Sequence, residues 1–331
     1  MRERRPRGRG RAHRGRRGSP AERGADPPPG HRRVLSRGDR CRGPRRRRAL
    51  DARGRRSAVR DARARTLRRF VEGRRLTGRL LVGTSGFAYR DWAPRFYPPG
   101  TRPANLLAAY GAQLPAVELN ATFRRRPTAS AIAGWVRATP PAFRFAVKAQ
   151  RGAAVRALLG TPAESIAWLT EPLGAFGERL GAVLLRVPAE IRRDGPWAGR
   201  DPALADRRLA GVLEAWPPSV PLAVELQDTS WHVDETFDAL RSAGAALCVT
   251  ELDEHESPPT LRRTAAFVYL RLRRSDYTAA ELEAWAARIE PFLTDGVDVF
   301  AFFRHDPVGR AAELALELER LLGGRVGGGR T

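Results

Sequence analysis

Residues 116–149 read AVELNATFRRRPTASAIAGWVRATPPAFRFAVKA, and the fold is decided there. Two short apolar runs of β type, Ala116–Leu119 and Phe143–Val147, flank a segment with helical spacing, Ala129–Ala138. Each run carries polar residues at its end: Glu118, Asn120 and Thr122 at the first, Lys148 at the second. Lys148 is the single lysine among 60 basic residues. A guanidinium is planar and effectively always charged, whereas a lysine amine is compact and its pKa can be lowered. One ammonium kept in an arginine-only chain, at the end of an apolar strand, marks Lys148 as a candidate site residue.

The same alternation extends outward in both directions. Apolar β-type runs recur at Leu80–Gly83, Ala116–Leu119, Phe143–Val147, Ala182–Val187, Leu222–Leu226, Ala245–Val249, Phe267–Leu272 and Val297–Phe303. Helical patterns fall at Pro103–Gln113, Ala129–Ala138, Pro162–Phe176, Pro202–Ala215, Val233–Ala243, Thr278–Phe292 and Gly309–Leu322. The Glu251–Thr264 connection is the weakest unit, with no clear helix. Continuously apolar strands alternating with helices predict a parallel sheet covered on its outer face. Eight such units within residues 79–322 match an α/β fold of the TIM-like (β/α)8 barrel type, of ordinary size. An open doubly wound sheet is the competing architecture. The segment after the first strand, GTSGFAYRDW, is not the glycine-rich fingerprint of a dinucleotide site.

Charge divides the chain. Residues 1–78 hold 29 arginines against seven acidic residues, while the rest of the chain is close to neutral. The overall charge of +24 therefore describes the extension, not the barrel. Low in large apolar residues, 1–78 is predicted to be a disordered basic extension. Its arginines suit weak nucleic-acid binding through phosphates. Its GC-rich codon signature equally suits a start assigned too far upstream, with Val71 one alternative beginning. Residues 323–331, GGRVGGGRT, are expected to be a flexible tail. Cys41 and Cys248 form no disulfide framework, no apolar run is long enough for a membrane span, and no secretory h-region follows the basic start. The expectation is a cytoplasmic protein that does not engage membranes. None of His13, His31, His232, His255 and His305 has metal-ligand spacing, so neither metal nor cofactor is expected.

Seven motifs then point to a family. GTSGFAYRDWAPRFYP, VELNATF, TPPAFRFAVKAQR, LGAVLLRVP, AVELQDTSW, FVYLRL and DVFAFFRHD, in that order, resemble the YecE-like family (domain of unknown function 72). The resemblance implies a TIM-like barrel and supplies no reaction, because the family's activity is not established. It also exposes departures. Arg124 stands where the family has Tyr, Arg186 replaces a strand-four Gln, Arg273 a strand-seven His, and Arg304–His305 a paired Asn. The chain reads as a divergent member in which arginine has replaced amides and imidazoles.

In a barrel the strand ends converge on one rim whatever their separation in sequence. That rim is predicted to collect Glu118, Lys148 and Glu225 as catalytic residues, with Ser85, Asn120, Arg186, Arg271 and Arg304 binding substrate. Carboxylates and cations in one low-dielectric mouth shift each other's pKa values and suit acid–base chemistry; mutual ion pairing that closes the barrel top is the structural alternative. Glu118 and Glu225 could also pair as in glycosidases. Trp92, Phe96 and Tyr97 in the first loop either stack on a ligand or pack the loop down. The functional expectation is an enzyme, of hydrolase type, acting on an anionic or phosphorylated substrate, small or polymeric. The alternative is a non-catalytic, degenerate barrel that binds nucleic acid or another ligand.

Overall fold

A computed structural model describes residues 77–254 and 257–323. Expectations for residues 1–76, for His255 and for the tail from residue 324 lie outside the described residues. Eight strands, β1 (Leu80–Ser85), β2 (Ala116–Leu119), β3 (Arg144–Lys148), β4 (Leu180–Val187), β5 (Leu222–Leu226), β6 (Ala246–Glu251), β7 (Phe267–Leu272) and β8 (Asp298–Phe303), pair in sequence order. Every pairing is parallel, and β1 also pairs with β8, closing the barrel. An open doubly wound sheet would leave two edges; here none remains.

The outer layer consists of α1 (Leu106–Gly111), α2 (Ala129–Arg137), α3 (Arg151–Leu159), α4 (Pro162–Thr170), α5 (Pro202–Ala215), α6 (Asp234–Ser242), α7 (Ala279–Thr294) and α8 (Arg310–Gly323). Two differences from the sequence reading have local causes. Helix α3 was not expected, since RGAAVRALL has little apolar periodicity; Gln150 caps it through its side chain, accepting from the Ala153 N–H at 2.8 Å. The run expected as one helix from Pro162 to Phe176 gives way after Thr170, where Pro172 and two glycines lead into a 3-10 segment, Glu171–Arg179. Between β6 and β7 no helix occurs among the described residues, in line with the weak pattern there. The long helix α7 starts on a reciprocal capping box between Thr278 and Glu281.

Strand alternation sorts side chains into two cores. Outward residues such as Val82, Val117, Phe145, Val183, Val224, Leu270 and Val299 meet the helices. Inward residues Leu81, Ala116, Ala146, Leu184, Cys248, Tyr269, Phe300 and Phe302 fill the lower and middle barrel. Toward the strand ends the apolar filling gives way to polar side chains, beginning at Arg271, which is in register with Phe302.

The first loop answers the question posed by its aromatics. Trp92 and Tyr97 are fully buried and Phe96 nearly so. Trp92 donates its indole N–H to the Asp306 carbonyl at 2.8 Å, tying the loop to the segment after β8. These residues pack the loop onto the barrel.

Gly83 allows the β1–β2 seam to form. It pairs with Ala116, and a Cβ added there would lie 1.9 Å from the Ala116 carbonyl oxygen and 2.8 Å from the Tyr110 hydroxyl. That hydroxyl donates to the same carbonyl at 3.0 Å and accepts from the Thr84 N–H at 2.8 Å. Gly83→Ala is expected to lower unfolding stability by about 1–3 kcal/mol or more, the usual range for overpacking. Chemical denaturation of the purified variant measures it, and a change below about 0.5 kcal/mol would mean the seam can shift freely.

Candidate active site at the strand ends

The register brings the polar residues together. Ser85 faces Glu118 across β1–β2, Arg186 faces Glu225 across β4–β5, and Thr250 faces Arg271 across β6–β7. All point inward on the alternate positions just above the apolar interior. Strands β1, β3 and β6 each run further than the sequence pattern indicated, so Ser85, Lys148 and Thr250 are strand residues with fixed direction.

At the centre is Arg271, 1% exposed. Its Nε and Nη2 donate to the two oxygens of Glu118, each at 3.1 Å, and its Nη1 donates to Glu225 Oε1 at 2.6 Å. Glu118 also accepts from Ser85 Oγ at 2.5 Å and Tyr269 OH at 2.9 Å. Glu225 accepts from Thr250 Oγ1 at 2.7 Å and pairs with Arg186, whose guanidinium also lies 5.4 Å from the Phe123 ring centre. The guanidinium of Arg271 occupies the space between the carboxylates, which leaves no gap for a sugar ring between Glu118 and Glu225.

Lys148 is 6% exposed and sits beside Glu118, with Nζ 2.9 Å from Oε1. It also donates to Ser85 Oγ at 3.2 Å and to Asn120 Oδ1. Asn120 in turn donates through Nδ2 to the Ser85 carbonyl at 2.6 Å, which orients its oxygen toward the amine. A guanidinium is too large to replace this compact three-way contact, a physical reason for lysine here.

The electrostatics follow from burial and neighbours. Burial alone would raise the Glu118 pKa, but Arg271 and then Lys148 outweigh it and hold the carboxyl well below the usual range. Glu225 is lowered in the same way, burial being overcome by Arg271 and Arg186. Lys148 is lowered, chiefly by burial, against the opposing pull of Glu118. Arg273, partly buried two residues beyond Arg271, is pushed down to about 10 by burial and by Arg271. It makes no ion pair among the described residues. Arg304 is exposed and likewise unpaired. His305 is lowered by burial, Arg273, Lys148 and Arg304, and stacks on Tyr89 at 5.0 Å between ring centres.

The structure thus gathers Ser85, Glu118, Asn120, Lys148, Arg186, Glu225 and Arg271 into one network and leaves Arg304 on its edge. Sequence reasoning did not include Tyr269, Thr250, Arg273 or Tyr89 in the set. Tyr269 and Arg273 lie two residues either side of Arg271, so strict alternation along β7 would have found both. No group of three or more potential metal ligands occurs among the described residues. No helix there is long and apolar enough to cross a membrane.

Known proteins share this architecture. The profile of a family described as "Protein of unknown function DUF72" matches residues 81–329. The UPF0759 protein YunF of Bacillus subtilis is 24% identical over 292 residues, covering 73% of this chain and 94% of that protein. The crystal structure of a DUF72 family protein from Thermotoga maritima superposes with a TM-score of 0.62 at 27% identity, covering 74% of this chain and 99% of the other. A DUF72 family protein from Enterococcus faecalis, at 18% identity and TM-score 0.60, shares the fold, covering 74% of this chain and 96% of its own.

Two outcomes test the network. Arg271→Met, which leaves two buried carboxylates without their shared cation, is expected to cost about 3–5 kcal/mol of stability by urea unfolding; a near-neutral result would mean the carboxylates are not charged. The second concerns pH. Because the folded-state pKa of Glu118 lies below its unfolded value near 4.5, its contribution is fully present above that value. It is lost as pH falls below about 4.5 toward the folded value. The stability gap between the native protein and Glu118→Gln, measured at pH 7, 5 and 3, is therefore expected to narrow only at the acidic end. A gap independent of pH would refute an ionised Glu118.

Proposed function

The chain belongs to the DUF72 family of proteins of unknown function, and on that footing we propose that it is an enzyme acting on an anionic, phosphorylated substrate at the strand-end rim. The observation that carries this reading is the charge imbalance there. Two carboxylates, Glu118 and Glu225, face five cations, Lys148, Arg186, Arg271, Arg273 and Arg304. Arg273 and Arg304 make no salt bridge among the described residues, Arg273 feeling Glu118 and Glu225, and Arg304 feeling Asp253, only at longer range. A partly buried guanidinium with no carboxylate in direct contact is costly, and a phosphate oxygen pair fits its fork.

In this reading Arg273 and Arg304 hold the anion, with Arg186 at the side. Lys148 is the catalytic residue: as a water attacks phosphorus and the P–O bond to the leaving group breaks, its ammonium, of lowered pKa, donates a proton to the leaving oxygen. The proton shed by the water passes to a phosphate oxygen of the product or to solvent. Asn120 and Ser85 orient the amine. Glu118 and Glu225, expected from the sequence to exchange protons, act instead as positioning residues. Their pKa values are too low to supply a proton near neutrality, and their oxygens are occupied by Arg271. A second reading, a binding protein without turnover, draws on the same network, because every proton of Lys148 already has a partner.

Thermal unfolding of the full chain against phosphate, sugar phosphates, nucleotides and carboxylates separates these. A ligand at 100 times its Kd adds about 2.7 kcal/mol. One phosphorylated class is expected to stabilise the native protein and not Arg273→Ala. Hydrolysis of that class is expected to vanish in Lys148→Met, which keeps the reach of the side chain without overfilling the site and has no proton to donate, while binding of the class is retained. Stabilisation without turnover would favour the binding protein, and no stabilisation by any anion would end both readings.

A further inference from the structure

Beside the mouth lies a cleft that the strand-end network does not use. It encloses about 470 Å³, within the range of small-ligand sites, and is lined by Arg124, Arg125, Arg126, Gln150, Trp168 and Glu171 among others. The three consecutive arginines fall in the loop between β2 and α2. That loop is pinned at one end by Thr122, whose hydroxyl donates to the Leu119 carbonyl at 2.8 Å. At the other end Thr128 caps α2, accepting from the Ala131 N–H at 3.2 Å.

The arginines are not equivalent. Arg126 is immobilised: its Nη1 donates to the Trp168 carbonyl at 2.6 Å and lies 2.9 Å from Glu171 Oε2, and its guanidinium lies over the Trp168 ring, 4.5 Å from the centre. Arg124 and Arg125 are exposed and have no ion-pair partner among the described residues. Trp168 is 41% exposed, the one aromatic among the exposed large apolar side chains described. A tryptophan ring backed by a fixed guanidinium is a stacking platform, and two uncommitted arginines beside it form an anion fork. Arg126 and Gln150 also border a small void lined by Val147, Val183, Leu169 and Leu173, so the floor of the cleft lies over the strand–helix core.

We propose that this cleft is a second binding site, for a nucleoside monophosphate or a ligand of the same chemistry. The planar base stacks at Trp168 and Arg126, and the phosphate is gripped by Arg124 and Arg125. The site rests on none of the residues assigned to the strand-end reading, so the two stand or fall separately.

Calorimetric titration of the full chain with AMP, adenosine and inorganic phosphate tests it. The arginines of residues 1–78 are unchanged in every variant, so differences between variants report the cleft. AMP is expected to bind at least tenfold more tightly than adenosine or phosphate. Arg124→Ala/Arg125→Ala is expected to weaken AMP by about tenfold or more, as for loss of charge-assisted hydrogen bonds. Trp168→Leu, which keeps apolar bulk and removes the platform, is expected to weaken it about fivefold to tenfold or more, the scale of base–aromatic stacking. Arg241→Ala, which removes an exposed arginine on α6 paired with Asp238, is expected to bind AMP as the native protein does. Absence of AMP binding, phosphate binding as tightly as AMP, or AMP affinity unchanged in the cleft variants would each overturn the proposal. Binding of a single-stranded oligonucleotide without AMP binding would overturn it too, in favour of a strand-binding surface.

Discussion

Two carboxylates enclosed in a barrel interior are tolerable only because one guanidinium lies between them. Arg271 serves Glu118 with one edge and Glu225 with the remaining amine, and the rest of the mouth is arranged around that fact. Lys148 stands against Glu118 and Arg186 against Glu225, so each carboxylate meets a second cation on its free side. Only Arg271 is shared, so its removal takes a partner from both carboxylates at once, whereas loss of Lys148 or Arg186 still leaves each carboxylate one cation. This pairing also locates the surplus. Three cations already face the two carboxylates, and Arg273 and Arg304 add to that surplus on the side toward solvent and toward whatever enters.

The barrel itself was legible because its cause is repetitive: eight apolar runs at strand length, separated by helical patterns, admit few packings. The network was legible in part. Lys148 was visible as the one ammonium in an arginine-rich chain, and Glu118, Asn120 and Glu225 as polar residues closing apolar strands. What could not be read was the pairing. Glu118 and Arg271 are 153 positions apart, and only the closed sheet brings them to 3.1 Å. Convergence of the strand ends puts Arg271 on one rim with both carboxylates and leaves open whether it binds substrate or pairs with them, because which cation meets which carboxylate depends on the register. Arg273, noted only as a replaced histidine, carries part of the surplus charge. Tyr269 was absorbed into an apolar run, since an aromatic ring in a strand looks like core until its hydroxyl finds a carboxylate.

Local pattern failed where the residues were small. Helix α3 is rich in alanine and arginine, without a clear apolar stripe, and packs by virtue of its neighbours α4 and α5. The arginine triplet at 124–126 reads as solvated charge in one dimension. Its contact with Trp168, 42 positions on, makes it a feature of the surface.

The pairing of β1 with β8 has a consequence for synthesis. Leu80 and Leu81 find their partners in Val299 and Phe300, near the far end of the chain. As the polypeptide leaves the ribosome, β1 can pair with β2 early, but its other edge stays open until nearly all of the barrel has been made. An open parallel edge is a template for pairing with another chain. For most of its translation the nascent protein therefore has two such edges exposed, and helix α8, which packs across β1 and β8, can cover the seam only as the last element to emerge.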